Sequence, residues 1–298
     1  MEIDFTSLNV NPLRMYGGAN GSKIGIDYQG DTYMLKFPPK PTRNRDMSYI
    51  NSCVSEYVAC HIFQSLGIEA QDTLLGSYNG KITVACKDFE TNGFILKDFA
   101  HLKNTIIDSE QDGYGTDICD VLNAIRQQQI ISPIDLEKFF WEMFIGDALL
   151  GNFDRHNGNW GFLVNANTGE VKIAPVYDCG SCLYPQIDEK RMQHVLQSEK
   201  EMEDRIFVYP TSAIAKDGKK INYFQFLMET DIKGCLDALM AVAGRIDINK
   251  ICSVIEGTPY ISKTHKQFLK TMIKKRKERI IDTAQGALEG RYYVSTTI

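Results

Sequence analysis

The sequence predicts an α+β chain of two lobes, a small antiparallel-sheet lobe with one helix followed by a larger, mainly helical lobe. Three observations predict it. First, residues 24–28 and 32–37 alternate or run apolar around Gln29-Gly30-Asp31, and residues 72–78 and 81–89 do so around Asn79-Gly80, the strongest short-range hairpin signal. Second, residues 47–66 carry apolar side chains at helical spacing, at Ile50, Cys53/Val54, Tyr57/Val58, Ile62 and Leu66, and Gly67 closes the run. Third, beyond Tyr184 the stripes are helical, as in Phe224-Phe226-Leu227, Leu236-Leu239-Met240 and Ile251-Val254-Ile255. The lobes divide at 1–90 and 91–298, and no internal repeat interrupts them.

Composition bounds what such a chain does. At 298 residues it has ample length for a buried core, and its 43% hydrophobic and 24% charged residues are those of an ordinary globular protein. A net charge of -5 argues against bulk nucleic-acid binding, because a surface that tracks phosphates makes a chain basic. Met1-Glu2-Ile3-Asp4 has no basic region before an apolar core, and no apolar run approaches the ~20 residues that cross a bilayer. The expectation is cytoplasmic residence without a cleaved signal or membrane contact, with leaderless export left open. The eight cysteines form no framework and read as reduced thiols. Cys179 and Cys182 have redox or metal spacing, but no second pair and no histidine at finger spacing accompany them.

Between residues 90 and 131 the sequence turns polar, with residues 109–115 read as a loop. Ser132-Pro133 then opens a helix, the serine as N-cap and the proline in the first turn, with Leu136, Phe139/Phe140, Met143/Phe144 and Ala148 on its buried face. That helix delivers a polar loop with one carboxylate, Asp154, and one amide, Asn159, five residues on. Residues 160–164 and 171–176 follow as a hairpin around a Gly-containing loop, and folding it back brings Asp178 beside Asn159. Oxygen-only ligands suit a hard cation such as Mg²⁺, which takes few protein ligands and completes its shell from water and phosphate. A spare carboxylate can orient and deprotonate a hydroxyl. A base Asp, a metal-binding Asn five residues later and a second metal-binding Asp form the phosphoryl-transfer layout of protein kinases. The plainer alternative is an Asn/Asp-rich surface loop. Apolar flanks on both sides and the fold-back argue against it.

The first lobe supplies matching parts. The glycine-rich turn Tyr16-Gly17-Gly18-Ala19-Asn20-Gly21-Ser22-Lys23 lets backbone N–H groups approach a phosphate, although hairpins use the same residues. Lys36, between Leu35 and Phe37 on the second strand, is placed to neutralise phosphates if it faces that turn. Glu56, on the border of the helix stripe among Cys53, Tyr57 and Cys60, is placed to hold that lysine. A lone lysine or glutamate at such positions is otherwise a solvated surface residue.

With those motifs in hand, the chain resembles the HipA-like serine/threonine kinases. Gly17 to Gly21, Met34 to Pro41, Ser55 to His61, Gly151 to Phe162 and Asp178 to Pro185 carry the likeness, which runs almost to residue 285. The resemblance implies an ATP- and Mg²⁺-dependent protein kinase acting on a protein substrate. It implies that Gly18, Ala19, Asn20, Gly21, Ser22 and Lys23 cover the ATP phosphates, that Lys36 contacts the α/β-phosphates and that Glu56 holds Lys36. Backbone groups of Cys86, Lys87 and Asp88 would bind adenine. Asp154 would accept the hydroxyl proton; His156, Asn157, Gly158 and Asn159 would line the nucleotide site; Asn159 and Asp178 would hold the metal; Tyr177 would pack near the nucleotide. The nucleotide loop begins by residue 16, without the extra N-terminal module the family uses for partner contacts, so the expectation is that neither an antitoxin partner nor operator DNA binding carries over. The family's regulatory serine falls near Tyr16, which leaves Tyr16 or Ser22 as self-modified positions. A small-molecule or lipid kinase and a non-catalytic nucleotide scaffold are the rival readings; the complete set Lys36, Glu56, Asp154, Asn159, Asp178 argues against the scaffold. Residues 265–288 read as a last helix with a basic run, residues 274–279, on its wet face, or in the rarer case as a polyanion-binding stretch.

Overall fold

The alternating pattern at the start of the chain becomes two strands, Lys23–Tyr28 (β1) and Asp31–Lys36 (β2). They join through Gln29 and Gly30 at φ values of 51° and 90°, a two-residue turn whose left-handed residues match the strands' own twist. The computed structural model describes residues 2–14, 16, 23–38, 49–107 and 112–295, with side chains to residue 290. The second hairpin, Thr73–Tyr78 (β3) and Lys81–Lys87 (β4), turns on Asn79 and Gly80 at 49° and 73°. All pairs are antiparallel in the order β1-β2-β4-β3, with Lys36 opposite Val84.

One helix, Ser52–Ser65 (α1), packs on this sheet. It starts at Ser52 rather than at residue 47, where the sequence places the start of the helix. Ile50 lies in a turn ahead of the helix and is 46% exposed, so the first apolar residue of the stripe does not belong to the buried face. Residues 47 and 48 lie outside the described residues.

The stretch that reads as polar contains more structure than its composition suggests. Phe94–Asp98 (β5) runs into the helix Phe99–Ile106 (α2), and Ile118–Gln127 (α3) follows. Strand β5 alternates half-buried and exposed residues, an edge pattern too short to stand out, yet it pairs with the hairpin Gly161–Asn165 (β6) and Val171–Ile173 (β7) in the order β5-β6-β7. Helix Pro133–Leu150 (α4) begins where Ser132 accepts from the Asp135 N–H and stops at Gly151, whose φ of 65° is the left-handed conformation glycine adopts without penalty.

The rest of the chain is helical: Glu189–Gln197 (α5), Glu199–Glu203 (α6), Tyr223–Glu229 (α7), Lys233–Ala243 (α8), Ile248–Gly257 (α9), Lys263–Arg276 (α10) and Thr283–Ser295 (α11). π-Helical turns at Asp204–Val208 and Lys277–Asp282 interrupt it, the second joining α10 to α11, so the last helical stretch runs past residue 288. A short hairpin, Ala215–Lys216 (β8) and Lys219–Lys220 (β9), stands apart from both sheets. Among the described residues no helix is long and apolar enough to cross a membrane.

Two contacts position the cleft between the sheet and the helices. A Cβ on Gly146 of α4 would meet the Phe63 ring of α1 at 2.2 Å, so glycine is what lets the two helices touch and share one buried core. Beyond the end of α1, Gln71 N–H donates to Val176 O at 2.8 Å and Val176 N–H to Glu69 O at 2.8 Å. The loop after α1 is thereby stitched to the strand end that leads into Asp178.

Candidate active site

Lys36, at the end of β2, reaches across the cleft to two carboxylates. Its Nζ lies 3.2 Å from Glu56 Oε1 and 3.1 Å from Asp178 Oδ1. The Glu56 contact is an ion pair without hydrogen-bond geometry at Oε1, whereas the Asp178 contact is a hydrogen bond. Burial alone pulls the ammonium toward its neutral form; Asp178 and Glu56 more than reverse this and hold Lys36 well above its usual range. Glu56 is 2% exposed and also accepts from the Cys179 backbone N–H, so α1, β2 and the segment around Asp178 meet at one point. Asp178 has a φ of 55°, a conformation uncommon for a residue with a Cβ but better tolerated by Asp than by most. The Lys36 charge, partly opposed by burial, lowers its pKa and keeps it anionic.

Asp154 and Asn159 face this group from the loop after α4. Asn159 N–H donates to His156 O at 2.9 Å, and its side-chain Nδ2 donates to Asp154 O at 2.8 Å. The amide nitrogen needs an acceptor and has one, so chemistry fixes the amide's orientation and leaves Oδ1 for a ligand. The Asp154 N–H is held by Asn152 Oδ1 at 3.0 Å, while its carboxylate faces the cleft. Burial pushes the Asp154 carboxyl up, His156 opposes this, and the negative Asp178 adds to it. Asp154, Asn159, Asp178, Lys23, Lys36, Glu56 and His156 all line one cleft of about 260 Å³. Burial, followed by the neighbouring Lys36, lowers the pKa of Lys23.

The other expected positions divide. His156 lines the cleft and accepts at Nδ1 from the Gly158 N–H at 3.0 Å, which puts the proton of a neutral ring on Nε2. Gly158 O in turn accepts from Tyr177 Oη at 3.3 Å, and the Tyr177 ring meets Phe89 edge-on at 5.9 Å. Asn157 does not join the cleft. It is fully buried, and its amide donates to Gly113 O and Gly115 O at 2.8 Å each, bracing the loop from behind. Cys86 is buried at the second-to-last position of β4, where it pairs with Met34 of β2 and Thr73 of β3. The Lys87 and Asp88 N–H groups already donate to Asp72 O and Thr32 O, and Lys87 O accepts from Gln71, so these groups do not offer adenine a free edge. Tyr16 Oη donates to Asp88 Oδ2 at 2.7 Å, and Arg14 Nε lies 3.4 Å from the same oxygen. Gly18, Ala19, Asn20, Gly21 and Ser22 lie outside the described residues.

Sequence reasoning passed over the residue that holds the loop together. Arg155 is 2% exposed and bonds with all three guanidinium nitrogens. Nε donates to Asp147 Oδ2 at 3.0 Å, Nη1 to Asn159 O at 2.7 Å and to Tyr177 O, and Nη2 to Asp147 Oδ1 and Cys179 Sγ, both at 3.3 Å. One side chain thus ties the Asp154 loop to both residues that flank Asp178. The signal was present at Asp147, a carboxylate inside the apolar last two turns of α4, residues 143–150, which a cation must accompany. Cys179 and Cys182 are free, buried thiols.

Sheet lobe, helical lobe and the cleft between them define a two-lobed, protein-kinase-like fold. The comparisons agree. Residues 15–242 match the HipA-like C-terminal domain. The chain is 55% identical over 283 residues to the serine/threonine-protein kinase CtkA of Helicobacter pylori strain J99, covering 95% of this chain and 87% of that one. The crystal structure of the H. pylori proinflammatory kinase CtkA matches with a TM-score of 0.91 at 53% identity, over 96% of this chain and 98% of that chain. HipA of Shewanella oneidensis MR-1, solved with HipB and operator DNA, shares the fold at a TM-score of 0.56 and 14% identity, over 93% and 70% of the two chains. The chain belongs to the HipA-like C-terminal domain family and is a serine/threonine-protein kinase of that type.

Proposed function

We propose that the cleft binds Mg²⁺–ATP and transfers the γ-phosphoryl group to a serine or threonine hydroxyl of a protein. The observation that carries this reading is the pairing of Asn159 and Asp178. The Asn159 nitrogen is bound to Asp154 O, which leaves an amide oxygen facing a cleft that also holds an anionic carboxylate. Two hard oxygens suit magnesium, which takes its other ligands from phosphate and water. No group of three or more His, Cys, Asp or Glu gathers to hold a metal among the described residues, in keeping with so sparse a ligand set. When bound, magnesium would neutralise charge on the phosphate oxygens.

The chain's own residues do the rest. Lys36, fixed by Glu56, contacts the α/β-phosphates and stays charged there. Lys23 lines the same cleft beside Lys36, placed to meet the phosphates. Asp154 takes the acceptor's proton as its oxygen bonds to the γ-phosphorus and the bond to the β-phosphate oxygen breaks, releasing ADP. His156 and Tyr177 line the nucleotide's other side. For adenine, the engagement of the Lys87 and Asp88 N–H groups favours the next peptide unit. The Asp88 carbonyl and the Phe89 N–H have no internal backbone partner among the described residues, and we place the adenine contact there. This also supports a lobe boundary near residues 90 and 91.

Phosphate transfer to a generic protein substrate, measured beside calorimetric binding of Mg²⁺–ATP, tests the assignment. Asp154→Asn loses about 10²–10⁴-fold in turnover while nucleotide affinity is kept, because only the proton acceptor is removed. Asp178→Asn weakens metal-nucleotide binding itself. Normal turnover in Asp154→Asn would overturn the choice of base.

A further inference from the structure

The β8–β9 hairpin plays no part in the nucleotide cleft, yet it is anchored on the segment ahead of α3 and leads into α7, whose first residue is bonded to the loop that carries Asp154. Its turn residues, Asp217 and Gly218, have φ values of 52° and 74°, the tight turn that lets so short a ladder close. Two strands of two residues would not persist alone, so the anchoring matters. Ala215 N–H donates to Thr116 O, and Thr116 Oγ1 to Ala213 O, both at 2.8 Å. Ser212 N–H donates to Ile221 O at 2.8 Å and Ile221 N–H to Ile214 O at 2.9 Å, with Ile214 and Ile221 buried beneath. Three residues beyond β9, at the start of α7, Tyr223 Oη donates to Asn152 O at 2.5 Å, and Asn152 Oδ1 holds the Asp154 N–H. Two hydrogen bonds therefore separate the residue that follows the hairpin into α7 from the proposed base.

What this mount presents is positive charge. Lys216, Lys219 and Lys220 are all exposed, and none joins an ion pair among the described residues. On a chain of net charge -5, three exposed lysines against the single carboxylate of Asp217 on one turn are a concentrated feature. None of the three lines the nucleotide cleft, so the triphosphate does not account for them. They are too few to track a nucleic-acid backbone, which needs a basic stripe. An acceptor peptide whose hydroxyl sits at Asp154 would pass this turn with its flanking residues.

We propose that the β8–β9 hairpin reads the acceptor peptide, selecting hydroxyls flanked by aspartate or glutamate. The proposal rests on Asp154 as the base, since that fixes where the acceptor lies. Exposed charge pairs are individually weak and additive when separated, so the expected selectivity is about ten-fold in kcat/KM for an acidic-flanked over an alanine-flanked serine peptide. It falls away near 1 M salt, where the screening length is about 3 Å.

The test is a set of serine peptides of equal length with acidic, alanine or lysine flanks. They are assayed with the wild-type chain at low and high salt and with Lys216→Glu/Lys219→Glu. The double variant reverses the order to lysine over acidic flanks and leaves the alanine-flanked peptide within about two-fold, because these side chains lie outside the cleft. Equal wild-type rates on acidic and alanine flanks at low salt would sink the proposal without any variant. So would a double variant that loses activity equally on all three peptides while remaining folded by circular dichroism. Failure of the base assignment reads out separately, as turnover retained by Asp154→Asn.

Discussion

Arg155 stands between the proposed base and His156 in sequence but points into the interior, where it joins Asp147, Asn159 O, Tyr177 O and Cys179 Sγ. The two consequences of removing it can be separated. Arg155→Met leaves Asp147 buried, ionisable and without its cation, a loss of about 3–5 kcal/mol readable from urea unfolding midpoints. Arg155→Lys recovers little, since one ammonium cannot replace a planar fork bonded on three sides. In Arg155→Met/Asp147→Leu both charges are gone, and stability returns to within about 1–2 kcal/mol of wild type. Activity does not return, because Asn159 and Tyr177 have still lost the donor that sets their carbonyls. Recovery of both together would show that Arg155 matters only as the partner of Asp147.

At the scale of elements, the basic run of the last helix separates into two kinds of residue. Lys274 is exposed, as an amphipathic helix predicts. Arg276 is 1% exposed, against the reading of the whole run as a wet face. Its Nε and Nη2 donate to Ala148 O at 3.0 and 2.7 Å, and Nη1 to Arg205 O at 2.9 Å. Ala148 lies in the last turn of α4, whose final carbonyls have no intrahelical donor and carry the negative end of the helix dipole. A cation from α10 therefore caps the helix that delivers Asp154. Arg276→Ala lowers stability by about 1.5–3 kcal/mol, and Lys274→Ala stays within about 0.5 kcal/mol, in the same urea titration. Equal effects would mean that the run is one solvated face after all.

The same contrast says what was legible in the sequence. The convergence of Asp154, Asn159 and Asp178 could be read because turns and periodicity fix which short segments fold back on one another, whereas Lys36 and Glu56 could be placed only on the condition that the strand faces the glycine-rich turn. Arg276 and Ala148 are 128 residues apart and Arg155 bonds inward, and no local pattern reports such pairings. Helix α3 was legible in principle, with Ile118, Val121, Leu122 and Ile125 at helical spacing under a polar average. Strand β5 was not, because its pairing with β6 is set by the chain between them.

Across the whole molecule, the ion pairs that close the cleft set how it responds to acid. Lys36 and Glu56 belong to the sheet lobe, and Asp154 and Asp178 to the helical one. Asp154 is raised from an ordinary aspartate value of 3.8 by burial and by Asp178, against the opposing pull of His156, Arg155 and Lys220. Asp178 is lowered from the same value by Lys36. The signs then run in opposite directions. As pH falls, Asp154 protonates first, in the folded state more readily than in the unfolded one, so its protonation does not cost stability. Asp178, whose folded pKa is depressed, contributes stability that is complete above the unfolded value and disappears only as pH falls through the folded one. Acid should therefore neutralise Asp154, the proposed proton acceptor, while the Asp178 carboxylate, proposed to hold the metal, and the fold persist. Carboxyl-carbon NMR titration of the nucleotide-free protein checks this, with Asp154→Asn and Asp178→Asn assigning the two resonances and far-UV circular dichroism following the fold. The expected result is Asp154 titrating above 3.8 and Asp178 below it, with Lys36→Met moving Asp178 upward because its ammonium partner is gone. Two carboxyls titrating together at the ordinary value, unmoved by Lys36→Met, would mean that the lobes do not meet through this lysine in solution.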